Sequence, residues 1–349
     1  MTEIRDSDAR LLALVQAQFP LTARPWEAIG RRLGMTGRQV MQRVKALKRE
    51  GVIRNIGGMF DPQSLGYQGV LVAMKCPKAR IDEIAATVSK HPGVTHNYAR
   101  THSFNLWFTI SVPPGHDVQK EVERLAQRAE PLQTIVLPSL RQFKLQLILP
   151  LAAGPAGPAF SREWGPVHTP VGAAPCGRPR LGAQATASRG KARLTSADAA
   201  AIRELQKDLP VSERPFLAAA RRAGVSEEAL LRRARSLMRR RIMRRFGAIL
   251  HHRRAGFVAN CMAVWAVPRD RIARAGRIAA WSPAVSHCYE RPAAPGWPYT
   301  LFAMIHGRTR AECLRIADEI SARIGKPKRA LLFTAKEYKK TRPVYLPGS

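Results

Sequence analysis

Apolar residues recur at helical spacing three times near the start of the chain. Across residues 6–18 they predict one buried face of a first helix. Pro25 suits the first turn of a second helix, and Gly34 suits the cap that ends it. Thr36 and Gln39 form a capping-box pattern that opens a third helix. The extended segment that follows predicts a wing, so we expect a winged helix-turn-helix head.

After the head, the pattern alternates between strand and helix periods. Its order is strand, helix, strand, strand, helix, strand, which is the order of a ferredoxin-like αβ plait. The predicted elements are strand 69–75, helix 79–90, strands 95–101 and 105–112, helix 117–129 and strand 134–149. The first half of the chain is therefore expected to be a mixed α+β unit.

The chain repeats this pattern at an offset of about 190 residues. Recurring motifs are Arg54-x-x-Gly57 with Arg244-x-x-Gly247, and His96-Asn97-Tyr98-Ala99-Arg100 with His287-Cys288-Tyr289-Glu290-Arg291. In the second copy Pro215 starts a helix, Gly224 stops it, and Ser226 caps the next one. The second plait is predicted from strands 260–267, 284–291, 299–306 and 329–337 and helices 269–280 and 310–324.

The predicted fold class is α+β, a tandem duplication of a winged helix-turn-helix head and a ferredoxin-like plait. The predicted boundaries are head 1 at 1–60, plait 1 at 61–150, a linker at 151–194, head 2 at 195–252 and plait 2 at 253–349. The linker holds 10 Ala, 7 Gly and 6 Pro among its 44 residues, which is typical of a flexible connection. A connection of this length allows the two halves to pack as an intramolecular pseudo-dimer.

Basic residues greatly outnumber acidic ones. The chain has 58 Lys+Arg and 25 Asp+Glu, a net charge of +33, and the part after residue 150 alone carries +24. Such a surface attracts a polyanionic partner. The five cysteines are scattered, without a C-x-x-C pair, which argues against a disulfide framework or a zinc site. There is no apolar run of the ~20 residues that a membrane helix needs, and no signal core, so we expect a cytoplasmic protein without a membrane partner.

A winged head joined to such a plait resembles the leucine-responsive, AsnC-type regulators, whose plaits pair into dimers. The plait motifs resemble more specifically the siroheme decarboxylases, which use this regulator fold as a catalyst. The first plait carries His96-x-Tyr98-x-Arg100 and Asn105-Leu106-Trp107-Phe108. The second half carries Phe246-Gly247-Ala248-Ile249-Leu250, His287-Cys288-Tyr289-Glu290-Arg291 and Pro295-Gly296-Trp297-Pro298-Tyr299. The chain looks like a fused form of a two-subunit enzyme.

The resemblance implies a carboxy-lyase reaction. Siroheme is a flat iron-tetrapyrrole edged with acetate and propionate groups. The family removes carbon dioxide from two acetate arms, giving 12,18-didecarboxysiroheme on the route to heme d1. No separate cofactor is expected, since the iron arrives with the substrate.

A polycarboxylate substrate requires cationic side chains around its rim, because a desolvated carboxylate without a partner is costly. Arginine suits this role, since its fork binds a carboxylate through two hydrogen bonds. The candidate substrate-binding cations are Arg100, Arg244, Arg245, Arg253, Arg291, Lys144 and Lys339. Trp297, in a Pro-Gly-Trp-Pro segment predicted to be a loop, is the candidate to line the flat face of the ring.

Loss of carbon dioxide leaves electron density on the methylene carbon of the arm, and a proton must replace it. Histidine is the natural donor near neutral pH. His287 and His96 are the candidate donors, and alternation along a strand places Tyr289 and Tyr98 on the same faces as catalytic partners. Axial contact with the siroheme iron is the alternative role of either histidine. Cys288 is expected to point to the opposite face.

Two other functions compete with this reading. A DNA-binding AsnC-type regulator is supported by the basic third helix of each head, but the second such helix offers arginines and few Asn or Gln readers. We therefore do not expect DNA binding to be the function. A tetrapyrrole sensor would keep the pocket without turnover. The sequence does not say whether one or both of the clefts between the two plaits are active. It also leaves open the order of the two decarboxylations and the oligomeric state.

Overall fold

The computed structural model describes residues 6–145, 194–251 and 259–347. It contains the predicted duplication of a helical head and an αβ plait. The first copy consists of α1 (Asp6–Ala17), α2 (Pro25–Leu33), α3 (Gly37–Arg49), β1 (Ile53–Phe60), β2 (Gln68–Lys75), α4 (Ile81–Lys90), β3 (Val94–Arg100), β4 (Leu106–Val112), α5 (Val118–Ala129), β5 (Gln133–Leu137) and β6 (Arg141–Leu145).

The second copy repeats this order with one long final strand. It consists of α6 (Ser196–Leu205), α7 (Phe216–Arg222), α8 (Glu227–Arg239), β7 (Met243–Leu250), β8 (Ala259–Trp265), α9 (Ile272–Trp281), β9 (Val285–Glu290), β10 (Leu301–Gly307), α10 (Arg310–Arg323) and β11 (Arg329–Lys340). The predicted linker lies outside the described residues except for Leu194, and so does Arg253. No helix in the described ranges is long and apolar enough to cross a membrane.

Local signals start and stop the head helices where the sequence predicts. Thr36 Oγ1 accepts a hydrogen bond from the Gln39 amide at 3.2 Å, and the Gln39 side chain accepts one from the Thr36 amide at 2.8 Å. Gly34 ends α2 at φ 68°, a left-handed conformation that favours glycine. Ser226 caps α8 by accepting a hydrogen bond from the Ala229 amide at 3.2 Å.

The two heads share one hydrophobic core. Strands β1 and β7, which the sequence predicts as separate wings, pair antiparallel with each other and place Gly57 opposite Gly247. A Cβ on Gly57 would lie 2.7 Å from the Lys207 carbonyl oxygen, so this close approach requires glycine. The Trp26 indole donates a hydrogen bond of 2.7 Å to the carbonyl of Ser212 in the other head. The heads therefore form one body that sits on the paired wing strands.

The two plaits exchange their last strands. The nine plait strands form one continuous sheet in the order β5-β2-β4-β3-β11-β8-β10-β9-β6. We call the part from β5 to β3 the first sheet and the part from β8 to β6 the second sheet, and β11 joins the two. The first part of β11 pairs with β8 of its own plait, and the part from Thr334 to Lys340 pairs with β3 of the other plait. In the first copy, β5 pairs with β2 while β6 crosses to β9. The predicted single strand 134–149 was wrong, because Pro138 has no amide for a ladder and divides the described part into two strands.

The exchange produces four layers. Helices α4 and α5 cover the outer face of the first sheet, and α9 and α10 cover that of the second. The inner faces of the two sheets pack against each other through a further apolar core. Its members include Ala73, Trp107, Leu137, Val264, Trp297, Phe302 and Leu332. The pseudo-dimer is thus held by strand pairing as well as by apolar contact.

Gly276 of α9 tests the crossing of β6 onto the second plait. A Cβ at this position would lie 2.3 Å from the ring of Phe143 in β6. We expect Gly276→Ala to destabilise the chain by about 1–3 kcal/mol, because an overpacked contact must be relieved. The measurement is the urea midpoint of the intact protein.

The matched background is Phe143→Ala, which removes the obstructing ring. In that background Gly276→Ala is expected to be stabilising by up to about 1 kcal/mol, since alanine is the better helix former. The same loss of stability in both backgrounds would show that β6 does not pack on α9 as described.

Candidate active site

The inner faces of the two sheets carry the repeated histidine motifs. His96 and Tyr98 of β3 point away from the helices, whereas the Asn97 side chain donates a hydrogen bond to the Ala85 carbonyl of α4 at 3.0 Å. His287 and Tyr289 of β9 follow the same alternation. Between them Cys288 is buried among the α9 and α10 contacts, with Sγ 3.7 Å from the Gly276 carbonyl oxygen. The alternation predicted for both strands is therefore observed.

These side chains line what we call the inter-sheet recess. Its walls are His96, Tyr98 and Thr109 from the first sheet and His287, Tyr289, Met304 and His306 from the second, and all are partly accessible to solvent. Farther along the same inner faces, Trp107, Phe302 and Leu332 are buried. The space between the sheets is thus filled by apolar side chains in one region and lined by titratable ones in the other.

A β-bulge precedes the histidine in each copy. The register shifts between Val94 and His96 on β3, and at Ser286 on β9. A bulge re-aims one side chain, here a hydroxyl beside the imidazole. Thr95 Oγ1 lies 2.9 Å from His96 Nδ1, and Ser286 Oγ lies 2.7 Å from His287 Nδ1.

The two bulges differ in their second contact. Thr95 Oγ1 lies 3.0 Å from Thr109 Oγ1, so in the first copy the hydroxyl beside the histidine contacts a second hydroxyl. Ser286 Oγ lies 2.8 Å from Nε2 of His306, so the second copy joins two imidazoles through one hydroxyl. The copies share a backbone and differ in chemistry.

The recess strongly disfavours additional positive charge. Desolvation, together with the neighbouring His306 and His96, lowers the pKa of His287 to about 4. Desolvation, together with the charges of Lys340 and Arg54, also lowers the pKa of His96 to about 4. The pKa of His306 falls to about 4 through desolvation and Lys340. All three imidazoles are therefore neutral at neutral pH.

Cations from the wing strands and from β11 lie beside the recess. Lys340 stands opposite His96 in the pairing of β11 with β3, and Arg54 donates a hydrogen bond to the Lys340 carbonyl. Arg244, the repeat of Arg54, pairs with Asp61 at 2.6 Å. Burial raises the pKa of the Tyr289 phenol, and the charges of Arg291 and Arg244 oppose that rise. Of the predicted cations, Arg244 therefore adjoins this group.

Arg100, which is buried, and Arg291, which is partly buried, lie at equivalent points of the two copies. The guanidinium of Arg100 donates to the Leu332 carbonyl at 3.1 Å, and that of Arg291 donates to the Leu137 carbonyl. Each also lies over the tyrosine of its own motif, with CZ 5.5 Å from the Tyr98 ring and 5.1 Å from the Tyr289 ring. Both arginines thus tie their motif to the strand that leads to the other sheet.

Each of these arginines has one buried N–H group without an acceptor. Nε of Arg100 and Nε of Arg291 have no hydrogen-bond partner among the described residues. Desolvation lowers the pKa of each guanidinium to about 10. A buried donor without an acceptor costs free energy. Because both copies keep such a donor, an anionic ligand that accepts a hydrogen bond from it would be stabilised there.

The other predicted cations do not join the recess. Arg245 donates to the Gln16 carbonyl at 2.5 Å, within the interface of the two heads. Lys144 donates to the Ser282 carbonyl at 2.7 Å, and Lys339 donates to the Ser89 carbonyl at 2.7 Å. These carbonyls belong to the C-terminal ends of α9 and α4, on the outer faces of the sheets. Such geometry is that of helix capping.

Trp297 is fully buried rather than exposed in a loop. It packs on Trp107 at a ring-centroid distance of 5.0 Å and on Tyr299 at 4.8 Å, within the core between the sheets. Its indole Nε1 is buried without a hydrogen-bond partner in the part of the chain that the structure describes. Trp297 therefore belongs to the apolar core between the sheets.

Several recess residues were missed by the sequence predictions. They are Arg54, Thr95, Ser286, His306 and Lys340. Repetition signals three of them, because a hydroxyl residue precedes the repeated histidine in both copies and Arg54 repeats as Arg244. The signal for His306 is its alternation with Phe302 on one strand. Within the described ranges, no group of three His, Cys, Asp or Glu side chains is arranged to hold a metal ion.

The chain matches known proteins along both copies. A family model described as an AsnC-like ligand binding domain matches residues 64–144 and 254–339. Another, described as a siroheme decarboxylase NirDL-like HTH domain, matches residues 8–54 and 198–244. These two models together cover heads and plaits in duplicate.

Similar full-length proteins are also known. The siroheme decarboxylase of Hydrogenobacter thermophilus is 36% identical over 337 residues, which is 96% of this chain and 94% of that protein. The siroheme decarboxylase NirDL subunit of Paracoccus pantotrophus is 34% identical and spans 91% and 90%. The crystal structure of the siroheme decarboxylase NirDL in co-complex with an iron-uroporphyrin III analogue has a TM-score of 0.71 at 31% identity, covering 98% of this chain and 95% of that one.

The lowered histidine pKa values predict how stability depends on pH in the absence of ligand. Because the unfolded state takes up protons near pH 6.5 and the folded state only near pH 4, stability is greatest above pH 6.5 and falls between 6.5 and 4. The expected loss from pH 7 to pH 5 is on the order of 1–2 kcal/mol per histidine. Urea denaturation at the two pH values measures it.

A double variant, His287→Gln with His306→Gln, is expected to lose most of this dependence. The control is His116→Gln, which changes an exposed histidine before α5. An unchanged pH dependence in the double variant would show that these imidazoles are not held neutral by the fold.

Proposed function

The chain belongs to the siroheme decarboxylase family, and on that premise we propose that it removes carbon dioxide from two acetate arms of siroheme, giving 12,18-didecarboxysiroheme on the route to heme d1. The family assignment confirms the resemblance drawn from the plait motifs. It makes the expected activity that of a carboxy-lyase. The assignment of acetates and of individual residues is the proposal.

One observation supports the site assignment above the others. Two repeated histidines, His96 and His287, face the same recess closely enough for one to lower the pKa of the other. Each is oriented by a hydroxyl on a β-bulge. A positioned imidazole beside a space open to solvent is what proton delivery to a bound ring requires.

Binding follows from the charges around the recess. The carboxylates of siroheme are complementary in charge to the cations that stand beside the recess. We assign Arg244, Lys340 and Arg54 to the rim carboxylates. Arg100 and Arg291 lie deeper, and each offers its unused Nε donor to an arm that enters far enough. Each charge-assisted hydrogen bond contributes on the order of 1.5–3 kcal/mol.

Substrate binding also prepares the acid. His287 is neutral at neutral pH, because burial desolvates its charged form and the imidazoles of His306 and His96 lie close to it. Carboxylates placed in the recess favour the imidazolium and raise the pKa of His287 toward its ordinary range. The protein thus acquires its proton donor when the substrate arrives.

The chemical step then needs a proton donor beside the reacting arm. The bond between the methylene and carboxylate carbons breaks, its electron pair stays on the methylene carbon and is shared with the ring, and one proton from His287 or His96 forms the methyl group. Tyr289 and Tyr98 stand beside the donors as hydrogen-bonding phenols. Axial contact of either histidine with the iron is the competing role.

The regulator alternative is less well supported by the heads. Cations on α8 are engaged within the protein: Arg233 and Arg240 pair with the buried Asp198 at 2.9 and 2.8 Å. The Arg235 guanidinium donates to the Leu21 carbonyl of the other head at 3.1 Å. Residues bonded in this way do not read base edges. Binding of siroheme without release of carbon dioxide would instead identify a sensor.

The test is an anaerobic incubation of the full chain with siroheme, followed by product mass. Loss of two carboxyl groups is expected for the parent protein. His287→Ala is expected to slow the loss by about 10²-fold or more, since a general acid contributes typically 10²–10⁴-fold, and to leave siroheme binding within a few-fold.

Absorption spectroscopy separates the two roles of this histidine. A bound spectrum like that of the parent supports the acid role, whereas weak binding with an altered spectrum supports iron ligation. His116→Ala serves as the control. A parent protein that binds siroheme and returns it unchanged contradicts the proposed function.

A further inference from the structure

The part of the inter-sheet recess around His96, which we call the His96 end, is positively charged. Lys340 stands opposite His96 in the strand pairing, and the wing residue Arg54 donates a hydrogen bond to the Lys340 carbonyl. Glu337 Oε2 lies 3.9 Å from Lys340 Nζ, so it offsets one of these two cations. Arg54 has no ion pair among the described residues. Together these groups leave one net positive charge at the His96 end.

The part around His287, which we call the His287 end, has no net charge at the matching positions. Arg244, the repeat of Arg54, pairs with Asp61 at 2.6 Å. The strand residue opposite His287 is Leu145, where the other end has a lysine. The recess is thus built by duplication but is electrostatically one-sided.

Asp61 contributes the carboxylate that only one copy has. Its amide donates to the Ile242 carbonyl at 2.8 Å, and the amide of His251 donates in the same way to the Val52 carbonyl at 2.9 Å. Asp61 and His251 therefore occupy equivalent places after the two wings. Ser64 fixes the Asp61 carboxylate, because its amide and hydroxyl donate to Oδ2 at 3.2 and 2.7 Å. Oδ1 accepts from the arginine guanidinium.

We propose that siroheme loses its carboxyl groups at the His287 end, and that Asp61 selects this end by neutralising Arg244. The inference rests on the proposed function and deepens it. A carboxylate that stays on the ring keeps its charge, so cations at the His96 end stabilise the substrate and the transition state alike. A carboxylate that leaves as carbon dioxide loses its charge. A cation that binds it strongly would therefore stabilise the substrate more than the transition state and slow the reaction.

The step balances with one proton for each carboxyl group lost. The bond between the methylene and carboxylate carbons breaks, the electron pair stays on the methylene carbon, and Nε2 of protonated His287 gives that carbon its proton. Because two acetates are lost at one end, the ring is seated again between the two losses. His287 is partly accessible to solvent, so it takes up a new proton from solvent as the next carboxylate arrives.

The experiment compares Asp61→Asn with the parent full chain, in siroheme binding and in an anaerobic single-turnover reaction followed by product mass. Asparagine keeps an oxygen that accepts from Ser64 and removes the negative charge. Arg244 is then released to hold the reacting acetate. We expect siroheme to bind about tenfold more tightly and to lose its first carboxyl group about tenfold more slowly, since the added contact stabilises only the substrate.

Two further variants separate charge from shape. Asp61→Glu keeps the negative charge and alters the fit to Ser64, and we expect both its binding and its rate to stay within about threefold of the parent. Asp82→Asn removes an exposed carboxylate that pairs with Lys336 on the outer face of the first sheet. It changes the net charge of the chain equally and is expected to match the parent.

The opposite movement of binding and rate is the decisive result. Weaker binding together with slower loss of carbon dioxide in Asp61→Asn would overturn the inference, because it indicates a merely structural role for the carboxylate. Parent values for both quantities would overturn it as well. A parent chain that binds siroheme and releases no carbon dioxide would instead overturn the proposed function, so the two failures are distinguishable.

Discussion

The exchange of terminal strands between the plaits fixes the position of one sheet relative to the other. Since β11 pairs with both sheets and β6 crosses to β9, neither sheet is complete without a strand from the other copy. Arg100 and Arg291 donate to backbone carbonyls at the two crossings. Removing such a donor would leave buried carbonyl groups unpaired at about 1–3 kcal/mol each. The inner faces are therefore fixed at a set spacing, and the recess exists as a consequence.

Duplication on a fixed scaffold allows the two copies to diverge in chemistry. Both keep a histidine after a bulged hydroxyl, so the backbone positions two imidazoles by one device. Beyond that hydroxyl they differ, with Thr109 in the first copy and His306 in the second. The strand residue opposite each histidine differs as well, with Lys340 facing His96 and Leu145 facing His287. One histidine thus stands beside a permanent cation and the other beside an apolar side chain and a second base.

Sequence reasoning succeeded where the determinants are local and failed where they depend on pairing across the chain. Capping at Thr36 and alternation on β3 and β9 follow from neighbouring residues, so the heads and the inward histidines were predictable. The break at Pro138 was visible, but the departure of β6 to the other plait was not, because it depends on a partner strand far away in sequence. Lys144 and Lys339 were predicted to bind substrate for the same reason, since the strand pairing was not known. Both lie on the outer faces of the sheets. Serine at position 286 joined the inner face only because a bulge shifts the register there.

In the proposed function, siroheme is held between the two sheets, where the repeated histidines face each other. A crystal structure of the full chain with siroheme, prepared without oxygen, tests it most directly. We expect the macrocycle in the inter-sheet recess, with an acetate arm within hydrogen-bonding reach of His287 Nε2. A macrocycle bound on the arginine-rich surface of α8, or anywhere outside the recess, would contradict it.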